Sequence, residues 1–133
     1  MKVPRLDGLR VLFVDDRRDA RFVVDHILRD AGAAVTLAEN GQQAIEAITA
    51  APPDSRNEFD VVVLDINMPV MDGLSATKQL REQGYCLPIL ALTAGILKDD
   101  RDDCLAAGCN DYLRKPIDGV RLVEVVRELA GAG

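Results

Sequence analysis

Five polar residues of the types that handle phosphate, Asp15, Asp16, Asp65, Thr93 and Lys115, sit at the ends of short apolar runs. The runs are "LRVLFV" before Asp15-Asp16, "VVVL" before Asp65, "LPILAL" before Thr93 and "DYLR" before Lys115. Magnesium favours near-octahedral oxygen ligands and takes one or two carboxylates together with water and phosphate. Asp15, Asp16 and Asp65 can supply those carboxylates, with a backbone carbonyl at Asn67 as a further ligand. A bound dication keeps Asp65 nucleophilic despite its acidic neighbours. Attack of a carboxylate on phosphorus gives an acyl phosphate, a form of covalent catalysis. The transition state spreads charge over the phosphoryl oxygens, and the metal, the Lys115 ammonium and the Thr93 hydroxyl are the donors that meet it.

Each residue also has a plainer reading. Asp15-Asp16 alone would be a turn and helix cap. Asp65 alone is as good a strand terminator as a nucleophile, Thr93 could cap a helix, and Lys115 alone would be a solvated surface residue. The chemical reading gains its weight only if the fold brings the strand ends together.

The elements that would do so alternate along the chain. Strands are predicted over 9–14, 33–38, 59–65, 87–93 and 110–115, with Pro88 near the start of its strand, where proline is tolerated. Helices are predicted over 19–32, 40–51, 74–83, 98–106 and 120–130. In the first of these helices Val23, Val24, Ile27, Leu28 and Ala31 form the apolar stripe. His26 falls on its polar side. "PPDSRNE" (52–58) reads as a loop, and Met71-Asp72-Gly73 as the turn into the third helix. The last helix carries more apolar residues (Val120, Leu122, Val123, Val125, Val126, Leu129) than one narrow stripe; core packing explains most of them, with a partner or dimer surface as the lesser reading.

Five strands alternating with five helices predict an α/β fold, a doubly wound five-stranded parallel sheet covered on both faces, with right-handed crossovers. Ligands of such sheets bind beyond the C-terminal strand ends, where the strand order reverses. Four of the five predicted strand ends deliver the five polar residues to that rim.

Composition bounds the alternatives. The 133 residues fit one domain, 1–133, with a core over about 9–130, and 48% apolar with 29% charged residues is ordinary for a globular protein. A net charge of −6 argues against a nucleic-acid-binding surface. No run approaches the roughly 18 apolar residues of a membrane helix, and no signal pattern opens the chain. The expected compartment is the cytoplasm, without direct membrane contact. Cys86, Cys104 and Cys109 lack metal-ligand spacing and read as buried or half-buried thiols.

The segments "VLFVDD", "VVLDINMPVMDG", "PILALTA" and "DYLRKP" resemble, in order and spacing, the receiver domains of two-component response regulators. The resemblance covers essentially the whole chain. It implies a flavodoxin-like fold with strand order 2-1-3-4-5. It implies that a partner's phosphohistidine, on a histidine kinase or histidine phosphotransfer domain, phosphorylates Asp65. Asp15 and Asp16 would hold Mg2+ (or Mn2+), Lys115 would contact the phosphoryl group, and the Lys115-Pro116 bond would be cis. Thr93 matches the switch hydroxyl and Tyr112 the switch aromatic. Phosphorylation would then remodel the face of helix 4, strand 5 and helix 5, which is also the expected surface for a downstream protein or a homodimer.

"LDGLRVLFVDD", "LTAGI" and "AGCNDYLRKPID" resemble receivers attached to hybrid sensor histidine kinases. The chain ends soon after the last helix, so either a stand-alone receiver or part of a hybrid kinase is expected. Such a domain catalyses its own slow phosphorylation and dephosphorylation. Arg17 departs from the short polar residue usual after the acidic pair, and it either leans over the site or is merely solvated. Asn67 and Gly95 occupy positions that tune phosphate lifetime in the family. The alternatives are a pseudo-receiver acting as a phosphorylation-independent binding module and a magnesium phosphatase with an aspartyl nucleophile. Asn67 stands where such a phosphatase usually places a second acid. A flavodoxin is weaker still, because no Ser/Thr/Gly-rich phosphate loop follows the first strand.

Overall fold

The computed structural model describes residues 5–50, 59–66, 73–93 and 98–132. Asn67, Gly95, the predicted loop over 52–58 and Met71-Asp72 lie outside them. The strands are β1 (Arg10–Val14), β2 (Ala34–Ala38), β3 (Val61–Asp65), β4 (Ile89–Thr93) and β5 (Asp111–Arg114). The helices are α1 (Arg18–Asp30), α2 (Gly41–Thr49), α3 (Gly73–Glu82), α4 (Lys98–Ala107) and α5 (Gly119–Ala132). All predicted elements are present, with ends shifted by a residue or two as terminal turns and strand ends commonly are. The strands form one sheet, ordered β2-β1-β3-β4-β5 and parallel throughout.

The order follows from which strands are apolar on both sides. Every residue of β3 and β4 is buried, whereas β2 and β5 keep exposed or half-buried positions and take the edges. Alternation along the strands divides the core into two. Val11, Phe13, Val61, Val63, Leu90 and Leu92 face α1 and α5, where Val24, Leu28, Leu122 and Val126 meet them. Leu12, Val14, Val62, Leu64, Ile89 and Ala91 face α2, α3 and α4. Each fully buried Val, Leu, Ile or Phe side chain among them contributes roughly 1.5–3 kcal/mol. Leu6 is also fully buried, so the core begins ahead of the expected residue 9.

The apolar excess of the last helix is core: Leu122, Val123, Val125 and Val126 are buried, and only Val120 stands out among the exposed. Cys104 and Cys109 are buried as expected, whereas Cys86 is exposed, because it lies in the short link between α3 and β4. Val23 departs from expectation too. It is 53% exposed beside the 75% exposed Phe22, because α1 buries only the narrower stripe of Val24 and Leu28.

Two close contacts fix the sheet end relative to the helices. Gly73 opens α3 against the end of β3, and a Cβ there would lie 2.6 Å from the Asp65 carbonyl oxygen and 2.8 Å from Leu64. At the other end of α3, Arg81 ties three elements together. Its Nε donates to the Gly108 carbonyl at 3.0 Å, its Nη1 to the carbonyls of Tyr85 and Leu87 at 2.9 Å each, and its Nη2 to Asn110 Oδ1 at 2.9 Å. Asn110 Oδ1 also accepts the Ile89 N–H at 2.9 Å. Gly108 takes φ 109°, and a Cβ there would stand 2.7 Å from Arg81 Cγ.

Arg81→Ala removes four hydrogen bonds, three of them to part-buried carbonyls, and is expected to lower stability by about 2–4 kcal/mol in urea unfolding. Arg81→Lys is expected to recover less than half of that loss, because one ammonium cannot span the four acceptors. Full recovery by lysine would show that charge, rather than the fork of donors, is what the site needs.

Candidate functional site

Parallel strands end on one rim, and the order reverses between β1 and β3. Asp15 directly follows β1 and continues its pairing, its N–H donating to the Ala38 carbonyl at 3.1 Å. Asp65 is the last residue of β3, and its register partner on β4 is Leu92. Thr93 is the next residue and ends β4. Its carbonyl accepts the Lys115 N–H at 2.8 Å, which fixes the chain just past β5. Backbone pairing alone therefore carries Asp15, Asp65, Thr93 and Lys115 to the same place.

The side chains meet there. Carboxylate oxygens of Asp15, Asp16 and Asp65 lie within 4.8 Å of one another. Asp15, Asp65 and Thr93 are buried, at 0%, 2% and 1% exposure, while Asp16 is exposed. Lys115 Nζ donates to Asp65 Oδ2 at 3.0 Å and stands 3.8 Å from Asp15 Oδ2. The Lys115-Pro116 bond is cis. Tyr112 is half-buried on β5, packed against the core under α4.

Charge crowding is the dominant physical fact of the site. At the effective dielectric of a partly buried place, two carboxylates 4.8 Å apart repel by roughly 3 kcal/mol. Burial pushes the Asp15 carboxyl above the usual carboxylate range. The Arg17 backbone N–H opposes that shift, the charge of Asp65 adds to it, and Lys115 and Arg17 pull the other way. Asp15 Oδ1 accepts the Arg17 N–H at 2.9 Å, but buried Oδ2 has no hydrogen-bond partner among the described residues. An orphaned anionic oxygen facing two more carboxylates is a donor set suited to a hard cation. Asp15, Asp16 and Asp65 thus fit a divalent metal; Asn67, the fourth expected ligand, lies outside the described residues.

Sequence reasoning missed Arg21. Its Nη1 donates to the Asp15 carbonyl at 2.8 Å and its Nη2 lies 3.4 Å from Glu39, so one side chain braces the ends of β1 and β2. Nothing in "RRDAR" distinguishes it from Arg18; only the helical phase that turns it back toward the sheet does. Arg17 is not merely solvated, since its Nε lies 3.9 Å from Asp15 Oδ1. Val23 rims a groove of about 600 Å3 that runs from the acidic cluster over Val24 and Ile27 to Pro116 and Ile117. His26 is exposed on the polar side of α1, as its position in the sequence predicts. No helix among the described residues is long and apolar enough to cross a membrane.

Comparison with known proteins agrees with this geometry. The family model described as the response regulator receiver domain matches residues 11–127. The sensor histidine kinase GacS of Pseudomonas protegens is 38% identical over 127 residues, covering 92% of this chain but only 13% of the kinase. The receiver domain of sensor histidine kinase PA1611 from Pseudomonas aeruginosa, solved with magnesium coordinated in its active-site cleft, superposes with TM-score 0.81 and 37% identity, covering 93% of this chain and 98% of that one. A chain from the co-crystal of the Saccharomyces cerevisiae histidine phosphotransfer protein Ypd1 with the receiver domain of Ssk1 gives TM-score 0.83 at 26% identity, covering 98% and 92%. The strand order, the rim of acidic strand ends and the match over nearly the whole chain lead to one conclusion: this chain belongs to the receiver domain family of two-component response regulators.

Proposed function

We propose that the domain accepts a phosphoryl group on Asp65 from the phosphohistidine of a histidine kinase or histidine phosphotransfer protein. The observation that carries this reading is a buried Asp65 held by Lys115 at 3.0 Å and packed against two further carboxylates. Mg2+, or Mn2+, bound by Asp15, Asp16, Asp65 and the Asn67 carbonyl would supply charge neutralisation and phosphate orientation. An Asp65 carboxylate oxygen attacks phosphorus, the P–N bond of the donor breaks, and its electron pair returns to the imidazole nitrogen, which takes up a proton. Lys115 Nζ shifts from Asp65 Oδ2 to a phosphoryl oxygen, and the Thr93 hydroxyl donates to another. Attack by water on the acyl phosphate later restores Asp65, so the domain assists both its own phosphorylation and its own dephosphorylation.

Output in this reading is a population shift. Thr93 moves toward the phosphoryl group, Tyr112 turns further inward, and the face of α4, β5 and α5 changes shape for a downstream protein or a second copy. The exposed Phe22 and Val23 and the apolar groove beside the acidic cluster support a donor protein seated on α1. A cytoplasmic location and a place within a hybrid histidine kinase complete the proposal, with residues 1–133 as one receiver unit.

Incubation with Mg2+ and acetyl phosphate is expected to add the mass of a single phosphoryl group, absent in Asp65→Asn. No gain from any donor would make the domain a phosphorylation-independent binding module, and release of many phosphates per chain would make it a phosphatase. Val23→Asp is expected to slow transfer from a phosphorylated histidine phosphotransfer protein by about tenfold while acetyl phosphate labelling stays the same. Equal slowing with both donors would remove the groove from donor docking.

Asp15 gives a test of the metal reading. Its folded pKa is raised, so the stability tied to its protonated form is full below the ordinary value of about 3.9 and is lost as pH rises toward the folded value. Without metal, Asp15→Asn is therefore expected to be more stable than the wild type at pH 7, with the gap opening as pH rises above about 3.9. Mg2+ is expected to narrow that gap at pH 7 by stabilising the wild type alone. Urea midpoints across pH, with and without Mg2+, check both statements, and a gap that is constant with pH would contradict them.

A further inference from the structure

The acidic cluster faces two cations that are held very differently. Lys115 is the inner one: its side chain is 19% exposed, its Nζ bonds Asp65, and its backbone is tied to Thr93. Arg17 is the outer one: its side chain is 57% exposed and its Nε lies 3.9 Å from Asp15 Oδ1. That same oxygen takes the Arg17 backbone N–H at 2.9 Å, so residue 17 is anchored while its guanidinium remains free to swing. Among the described residues the guanidinium has no second ion-pair partner, although Asp19 shares the groove. The other arginine near Asp15, Arg21, is 15% exposed and occupied by the Asp15 carbonyl and Glu39.

We infer that Arg17 is the resident counter-ion of the cluster, a guanidinium displaced by the divalent cation, and that it sets this chain's metal affinity below what the three carboxylates alone would give. The inference rests on the receiver reading and deepens it. A dication bound at Asp15 would lie within a few ångströms of the guanidinium, and like charges at that distance repel. Lys115 is locked by the end of β4 and by Asp65, so it stays. Arg17 is the cation that can leave: more than half of its side chain is already in water, and a long exposed side chain retracts at little cost. Free divalent cation must then exceed a threshold before the site is loaded, and that threshold is written in a residue outside the ligand set. Because the guanidinium is exposed, its influence is screened by salt.

Titration calorimetry with MgCl2 on the wild type, Arg17→Gln and Arg17→Lys tests this. Arg17→Gln is expected to bind Mg2+ about two- to five-fold more tightly at low ionic strength, the range an exposed ion pair commands. The difference should shrink at high ionic strength, and Arg17→Lys should stay near the wild type. Tighter binding is an outcome that structural damage cannot imitate, and Asp16→Asn, expected to bind far more weakly, confirms that the heat reports this cluster. Equal or weaker Mg2+ binding by Arg17→Gln overturns the inference and leaves the receiver reading standing. Absence of Mg2+ binding in wild type and variants alike overturns both.

Discussion

The architecture is organised around an unfavourable interaction: three carboxylates within 4.8 Å, two of them buried, faced by a single well-held ammonium. An isolated chain would not gather them, since each approach raises the electrostatic energy. Only a frame whose stability lies elsewhere can hold them in place. That frame is the parallel sheet, in which β1, β3 and β4 contribute their apolar residues to two cores and leave Asp15, just past β1, and Asp65 and Thr93, the last residues of β3 and β4, at one rim. The repulsion is thus a local expense set against burial on both faces.

Stability and site chemistry are accordingly divided in space. Arg81 and Asn110 lock the N-terminal side of the sheet, where β4 and β5 begin, through hydrogen bonds to backbone carbonyls and the Ile89 N–H. At the opposite rim Asp15 Oδ2 lacks a hydrogen-bond partner among the described residues, and its carboxyl is displaced upward by burial. Perturbed titration and an orphaned polar atom together, at the mouth of a groove, are a physical signature of a functional site that needs no homologue to read. The family match then says which domain family that signature belongs to.

Much of this was legible in the sequence because the informative residues obey simple periods. Runs such as "VVVL" and "PILAL" can only be interior strands of a two-faced sheet, and Asp65, Thr93 and Lys115 are conspicuous because they break such runs. What stayed hidden depends on direction within a helix or on close approach between elements. Val23 fits an apolar stripe by spacing but points past the edge of the core. Arg21 and Arg17 look alike in "RRDAR", yet helical phase turns Arg21 back to the Asp15 carbonyl, while Arg17, the extended residue that precedes α1, stays beside the Asp15 carboxylate. Gly73 reads as part of a turn, while its structural reason is that β3 leaves no room for a Cβ. Leu6 lies outside any run and is buried only because the chain folds back to hydrogen-bond the Ala31 carbonyl at the end of α1.

The same backbone that assembles the site also offers a short route out of it. The Thr93 carbonyl holds the Lys115 N–H, and Thr93 is the register partner of Arg114, two residues after Tyr112. In the proposed function, a shift of Thr93 toward a phosphoryl group would act directly on the strand that carries Tyr112. Tyr112 in turn packs against the cluster that contains Cys104 of α4 and Cys109. The helix above that cluster is polar in sequence over its first half, "KDDRDD", and meets the core through Cys104 and Ala107 of its second half. In the proposed function, β1, β3 and β4, buried on both faces, would hold the Asp65 side in place while the face of α4, β5 and α5 changes shape.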